Sequence, residues 1–483
     1  MKLFNSIDSF HRLGILAVVS NLIYLIWLAS HVEGPLGVPF YVFEAMICLV
    51  APLFVFNHWK RRFDFLGGPY SMRSSVDIYI PTVNEPVHML LKTIEAAKNI
   101  IYARKNIYVL DDGNRPSVKK LCAELGVEYI ARQNNKDKRY KAANLNYAMR
   151  QTHGDYILVI DADNIVSPNI VDDLLGHFQD KQVGIVATRQ RFTVDKEDFN
   201  HDHLFYIHMQ SGKNADHAAI SCGSGVIYRR SAIKKIGGFS EWNIVEDLHT
   251  TYLANTNKIK SVYVSQSYVS GHAPRDIGAI YKQRGTWAAD TLRMFFWQQP
   301  LFNMKLSFRQ RLHYFEMGYT YLVSGLALTG VYLVNFIALF ENQPVVTDGL
   351  GYLIFRVPAI IFTLMFFNAL SEGQLTSRIW AGLFPVYFMA IIIALTHPRK
   401  KPGYKVTPKK DVGNRNPSRV LVQLSFISLG IFSAIYHYIF FGLSPMLIVS
   451  AVWITLMAYW LLPIIEKALK IGTFKNELKT KQA

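Results

Sequence analysis

Apolar residues fall into two unlike patterns along this chain. Toward both ends they form long runs. Residues 13–30 (LGILAVVSNLIYLIWLAS) carry no charge, and a second run, 36–56, follows at once. Others occupy 317–340, 349–371, 379–396, 420–442 and 445–465. Each approaches the ~20 residues that cross a bilayer as a helix. The first run is long for a signal peptide, and with a second behind it the pair reads as two spanning helices. Between them, residues about 70–300 switch to short apolar runs alternating with amphipathic stretches. VDIYIP (76–81), NIYVL (106–110), VEYIA (127–131) and YILVI (156–160) have the look of buried strands. Helical patterns at 87–100, 115–125 and 141–151 separate them. Such alternation predicts a parallel sheet with helices on both faces.

Charge decides which runs cross. The connections at 31–35, 341–348 and 442–444 contain no Lys or Arg, whereas 398–419 contains eight and the tail after 465 contains five Lys. If all seven runs crossed, the last two basic stretches would lie outside. If 379–396 lies along the membrane surface, every basic stretch is cytoplasmic, as the positive-inside rule demands. We therefore expect six spans, two before the soluble domain and four after it, with Pro385 near the middle of a membrane-lying helix. The domains follow: 1–60 with two spans; a cytosolic domain at 61–300; 301–397 with an interfacial helix, two spans and the membrane-lying helix; the basic segment 398–419; and 420–483 with two spans and a basic tail. This is a multi-pass plasma-membrane protein with a cytoplasmic α/β domain. Glu44 and Arg356 sit at similar depth inside two spans, either snorkelling separately toward the outer surface, or forming a pair or the polar lining of a conduit.

Composition narrows the class. With 51% hydrophobic residues and a formal charge of +17, the chain suits membrane lipid as a partner. No nucleic-acid module is present. Three scattered cysteines give neither a disulfide framework nor a zinc spacing.

Acidic residues collect where the strands end. TVNEP (82–86) follows the first strand, DDG (111–113) the second and DAD (161–163) the fourth. Ligands of such sheets bind at carboxyl strand ends. Each cluster alone could be a cap or turn. Together they suit a hard divalent cation, Mg2+ or Mn2+, carrying a phosphorylated substrate. GxxxxGK[ST] and GxGxxG are both absent, which argues against a P-loop hydrolase and a dinucleotide oxidoreductase. Lys141, starting a helix, could meet a phosphate. Glu246 and Asp247, in GGFSEWNIVEDLHT (237–250), could favour a helix dipole or supply a general base. KQRGTWAAD (282–290) adds Gln283, Arg284 and Trp287 shortly before an apolar run.

The order DDG, DAD, VED, QRGTW, flanked by membrane helices, resembles the processive family 2 glycosyltransferases, the cellulose synthase and hyaluronan synthase group. The likeness covers about residues 60–470 and includes GYKVTPKKD (403–411), similar to that group's FxVTxK gating loop. It implies a membrane α-helical protein with an inserted GT-A glycosyltransferase domain. It further implies an inverting transfer from a UDP-sugar, UDP-glucose foremost, to a growing β-linked polysaccharide that is moved across the membrane, with accessory export subunits as further partners. Site roles carry over by position. Asp111, with Asp112 and Glu85 beside it, would contact the uridine part. Lys141 and Arg284 would lie near the diphosphate. Asp161 and Asp163 would hold the metal, and Asp247 would be the base. Trp287, Gln283, Glu246, Cys222 and Gly223 would meet the acceptor. Tyr404, Val406, Thr407 and Lys409 would close over UDP.

Two departures bear on the product. Val245 replaces the Thr of the family's TED motif, and Thr286 replaces an Arg on the pyrophosphate. The second change removes a charge-assisted contact of about 1.5–3 kcal/mol. Compensation by Arg293 or the gating-loop lysines is expected, together with a product other than cellulose. About 18 residues follow the last span, so no cyclic-di-GMP-binding domain in cis is expected. A different enzyme, a non-processive UDP-sugar transferase acting on a lipid or polyprenyl phosphate, would need the same carboxylates but neither Trp287 nor six spans. A transporter or scaffold would not need Asp111, Asp163 and Asp247.

Overall fold

A computed structural model describes residues 2–68, 74–132, 140–194, 200, 202–274, 276–372, 376–399 and 416–469. The central feature is an eight-stranded sheet. Its strands are β1 (Val76–Thr82), β2 (Lys105–Asp111), β3 (Glu128–Ile130), β4 (Tyr156–Val159), β5 (Ile165–Val166), β6 (Val183–Phe192), β7 (Val226–Arg229) and β8 (Lys260–Gly271). They lie in the order β3-β2-β1-β4-β7-β6-β8-β5. The four strands read from the sequence form the parallel half, with Thr82 opposite Asp111 and Tyr79 opposite Val159.

The other half corrects the expectation of an all-parallel sheet. Strand β7 runs antiparallel to β4 and β6, and β5 runs antiparallel to β8. The reason is local. The chain reverses at residues 222–225, where Cys222, Gly223 and Gly225 all have positive φ. Gly225 N–H donates to Val159 O at 2.9 Å. The segment therefore enters the sheet from the carboxyl end of β4, after a connection from β6 that carries the helices Leu204–Met209 and Gln210–Ala215. Glycine tolerates such backbone at little cost.

Both faces of the sheet are covered, which is why its strands read as unbroken apolar runs. Val76, Ile78 and Ile80 pack with Leu90 and Ile94 on one face. Tyr79 points to the other, against Leu145 and Ala148.

Among the described residues six helices are long and apolar enough to cross a membrane, or seven if a bent pair at 376–396 counts as one span: Phe10–Ala29, Gly34–His58, Phe308–Glu341, Gly349–Leu370, Pro417–Phe441 and Pro445–Leu469. The run at 379–396 is not one helix. Thr376–Gly382 and Phe384–Thr396 meet at 59°. The break falls at Leu383, so Pro385 lies in the first turn of the second piece, where its missing N–H costs nothing. After residue 301 the interfacial helix is not a separate element. Helix Phe308–Leu322 continues through a π segment, Val323–Ala327, into Leu328–Glu341.

Glu44 and Arg356 are paired, not separate. Arg356 Nη2 lies 2.8 Å from Glu44 Oε2, with both side chains buried. The guanidinium also sits over Tyr24, 5.0 Å from the ring centroid. A second polar cluster joins the bundle to the α/β domain. Glu316 accepts from His58 Nε2 at 3.0 Å and Asn57 Nδ2 at 2.7 Å. His313 Nε2 lies 2.8 Å from Asp216 Oδ2, and Lys213 Nζ donates to His313 O at 3.0 Å. Arg309 caps the second membrane helix by donating to Phe56 O and Asn57 O, each at 2.9 Å.

Breaking a buried ion pair leaves an uncompensated charge, at a cost of about 3–5 kcal/mol. Arg356→Leu is expected to lower thermal stability in detergent strongly. Adding Glu44→Leu should recover most of the loss. Equal melting temperatures for the single variant and wild type would contradict the pairing.

Candidate active site

Parallel β1, β2 and β4 deliver TVNEP, DDG and DAD to one sheet edge, and two groups of side chains form there. In the first, Asp111 is fully buried. It accepts from Gly113 N–H at 3.0 Å, Arg115 N–H at 2.7 Å and Tyr129 OH at 3.2 Å. Arg115 also donates from Nη1 to Glu85 O at 2.6 Å and from Nη2 to Thr82 Oγ1 at 2.7 Å. Glu85 Oε2 turns back onto Thr82 Oγ1 at 2.7 Å and Val83 N–H at 2.8 Å. Asp112 pairs with Arg132, with Nη2 to Oδ2 at 2.5 Å. These carboxylates shape the loops around a cleft.

The second group surrounds Lys141. Lys141 opens its helix and uses all three ammonium protons. Nζ is 2.7 Å from Asp161 Oδ1, 3.2 Å from Glu246 Oε1 and 2.7 Å from Gly223 O. Burial opposes its charge, but Asp161 and Glu246 outweigh that and hold it protonated above the ordinary Lys range. Asp247 behaves oppositely. Burial first, then the adjacent Glu246, raises its carboxyl to about 7, while Lys141 and the Leu248 N–H partly offset them. Leu248 N–H occupies Oδ1 at 2.6 Å. Oδ2 faces Gly223, where an added Cβ would come within 3.0 Å. A carboxylate tuned near neutrality at a cleft is suited to accept a proton.

The helix Ile277–Arg293 closes the site on the membrane side. Asp290 Oδ2 accepts the Val245 N–H at 2.7 Å and so fixes the backbone just ahead of Glu246 and Asp247. Arg293 is fully buried and donates to Trp242 O at 3.0 Å, Asn243 Oδ1 at 3.1 Å and His397 O at 2.9 Å. This corrects the expectation that Arg293 compensates for Thr286, because its guanidinium is committed to these groups. Thr286 itself donates to Lys282 O at 2.8 Å, one turn back. Arg284 pairs with Asp202 at 2.7 Å and stacks over Trp287, with 4.8 Å to the ring centroid. Trp287 and Gln283 remain partly exposed. Cys222 Sγ accepts from Gln210 Nε2 at 2.9 Å.

Positional reading of the motifs missed Asp290, Arg293, Asp202, Arg115 and Arg132 as organising residues. Asp290 ends the QRGTW stretch, and its link to VED was invisible because the two lie 45 residues apart. Tyr404, Val406, Thr407 and Lys409 lie outside the described residues.

For a divalent metal, the donors present are Asp161, whose side chain is 38% exposed and has one oxygen on Lys141, and the neighbouring Asp163. Two hard carboxylates two residues apart fit Mg2+ or Mn2+. His58, His313 and Glu316 also come within 4.8 Å of one another. There Glu316 already accepts from His58 and Asn57, beside the buried Lys213, so that cluster fits a structural ion network better.

Residues 77–237 match the family model described as glycosyl transferase family 2. The described fold is also similar to a solved mannosyltransferase from Pyrobaculum calidifontis in complex with GDP-Man and Mn2+. The TM-score is 0.54 at 14% identity, covering 74% of this chain and 98% of that one. The α/β unit is therefore a glycosyltransferase domain with a GT-A fold. The chain around it is cellulose synthase-like. It is 26% identical over 466 residues to the cellulose synthase catalytic subunit of Pseudomonas fluorescens, covering 86% of this chain and 61% of that protein. It is 28% identical over 385 residues to cellulose synthase 1 of Komagataeibacter xylinus, covering 76% and 24%.

The raised Asp247 carboxyl gives a signed prediction. A carboxylate that accepts a proton here must first be ionised, so any transfer that uses it should fall as pH drops through about 7. Glu246→Gln removes the negative neighbour and should move that acid limb about one unit lower. Initial rates from pH 5 to 9 measure it, and an unmoved limb would break the link.

Proposed function

We propose that this protein is a processive, inverting polysaccharide synthase that uses a UDP-sugar, UDP-glucose in the first instance, and passes a β-linked glucan through its membrane helices. The supporting observation is the enclosure of Asp247 beside Lys141 and Asp161, at a site roofed by a helix packed on the membrane bundle. Asp247 Oδ2 takes the proton from the acceptor hydroxyl, whose oxygen attacks the anomeric carbon as the bond to UDP breaks. Single displacement inverts that carbon. Asp161 and Asp163 would hold a divalent ion, which when bound supplies positive charge for the leaving diphosphate. Lys141 adds a fixed cation at the same edge. Trp287 offers a flat apolar face to the terminal sugar of the chain. The bond from Asp290 to Val245 ties the base to that same helix, so donor chemistry and chain position share one rigid element.

The sequence departures enter here. With Thr286 bonded into its own helix and Arg293 buried, no second arginine of this helix replaces the family's pyrophosphate contact. Compensation by the gating-loop lysines, a weaker hold on UDP and a shifted acceptor are the remaining alternatives, and the linkage is best determined directly.

Membranes carrying the full chain, given radiolabelled UDP-glucose and Mg2+, should make a long product whose linkage can be analysed. One sugar added to a lipid would instead favour a non-processive transferase. Trp287→Ala should shorten the product or reduce its yield by more than tenfold, since loss of a stacking face costs about 1–3 kcal/mol. Asp247→Asn should abolish it. Full synthesis by Asp247→Asn would remove Asp247 as base.

A further inference from the structure

At the end of the bundle that carries the glycosyltransferase domain, the first two membrane helices part around a groove of about 740 Å3. Its walls are apolar. Ile15 and Val19 come from the first helix, and Val55, Phe56 and Trp59 from the second. Ile15, Val19, Phe56 and Trp59 are all exposed. Polar groups occur only at its mouth, where Lys60, Asp216 and Arg309 line it.

The charges at the mouth do not cancel. Asp216 is occupied by Arg309 Nε at 3.3 Å and His313 Nε2 at 2.8 Å. Arg309 is further committed to the carbonyls of Phe56 and Asn57. Lys60 is exposed and has no hydrogen-bond or ion-pair partner among the described residues. Arg12, also exposed, lies three residues before Ile15 and seven before Val19, on the same face of the first helix. Lys60 thus stands at the mouth of an apolar slot beside the Trp59 indole, and Arg12 lies one turn beyond its lining on the first helix. That is the chemistry of an acyl chain below and a phosphate above.

We propose that this groove binds an anionic glycerophospholipid, its acyl chain against Ile15, Val19 and Phe56 and its headgroup phosphate on Lys60 and Arg12. The site is distinct from the glycosyl-transfer cleft. Its mouth shares Asp216 and Arg309 with the polar cluster that fastens the domain to the spans. A bound headgroup would therefore reinforce the junction at this groove.

The test uses the purified full-length chain in phosphatidylcholine vesicles with increasing phosphatidylglycerol, where one lipid or the other carries brominated acyl chains. The Trp59 signal is the difference between wild type and Trp59→Phe, because bromine quenches only an indole it touches. Brominated phosphatidylglycerol should quench Trp59 at several-fold lower mole fraction than brominated phosphatidylcholine. Lys60→Gln should reduce that preference about fivefold, and Lys60→Gln with Arg12→Gln should remove it. Equal quenching by both lipids, or a preference unchanged in the double variant, would overturn the proposal. Release of the quencher by inorganic phosphate at constant ionic strength would also overturn it, making the site one for a free anion. None of these readings depends on transfer activity, so they stand or fall apart from the enzymatic assignment.

Discussion

The Lys141 ammonium sits among acceptors drawn from three distant parts of the chain: Asp161 at the end of β4, Gly223 in the reversing loop and Glu246 at the start of the VED helix. The architecture of the site follows from that contact. The cation held between Asp161 and Glu246 gives both a direct counter-charge. Asp247 feels that cation less, and burial together with the adjacent Glu246 raises its carboxyl to about 7. One lysine thus sets two carboxylates with a direct counter-charge, Asp161 and Glu246, apart from a third, Asp247, whose carboxyl is raised.

The position of the base depends on the membrane side of the molecule as well. Asp290 holds the Val245 amide, and Arg293 ties Trp242 and Asn243 to His397 beyond the bent helix pair. Trp297 Nε1 donates to Ala394 O at 2.7 Å on that same pair. Any displacement of Phe384–Thr396 therefore reaches the loop that carries Glu246 and Asp247. The polar cluster of His58, Glu316, His313 and Asp216 fastens the opposite side of the domain to the second and third spans. Catalytic domain and bundle are joined through buried polar contacts, which tolerate less sliding than apolar packing does.

Much of the fold could be read from residue pattern because the physics there is local. Short apolar runs rich in β-branched and aromatic residues predicted β1, β2, β3 and β4, and the helix expected at 141–151 is found at Lys141–Gln151. The antiparallel strand β7 escaped, because its direction is set by positive φ at Cys222, Gly223 and Gly225 rather than by hydrophobic period. The six apolar helices were likewise legible. The break at Leu383 was not, since it depends on how Phe384–Thr396 packs against the helix that carries QRGTW.

By itself the sequence determined the residue types at the strand ends, the presence of long apolar helices and the resemblance to processive family 2 glycosyltransferases. These rest on short-range order, and motif spacing records them directly. Only the tertiary structure decided partners. It placed Arg284 on Asp202, Arg293 on the VED loop and Glu44 on Arg356. A buried charge takes whichever counter-charge the packing brings within about 3 Å, whatever the distance along the chain. Motifs name the groups that can react, but which of them are neutralised, and so which one is left to take a proton, is a property of the folded interior.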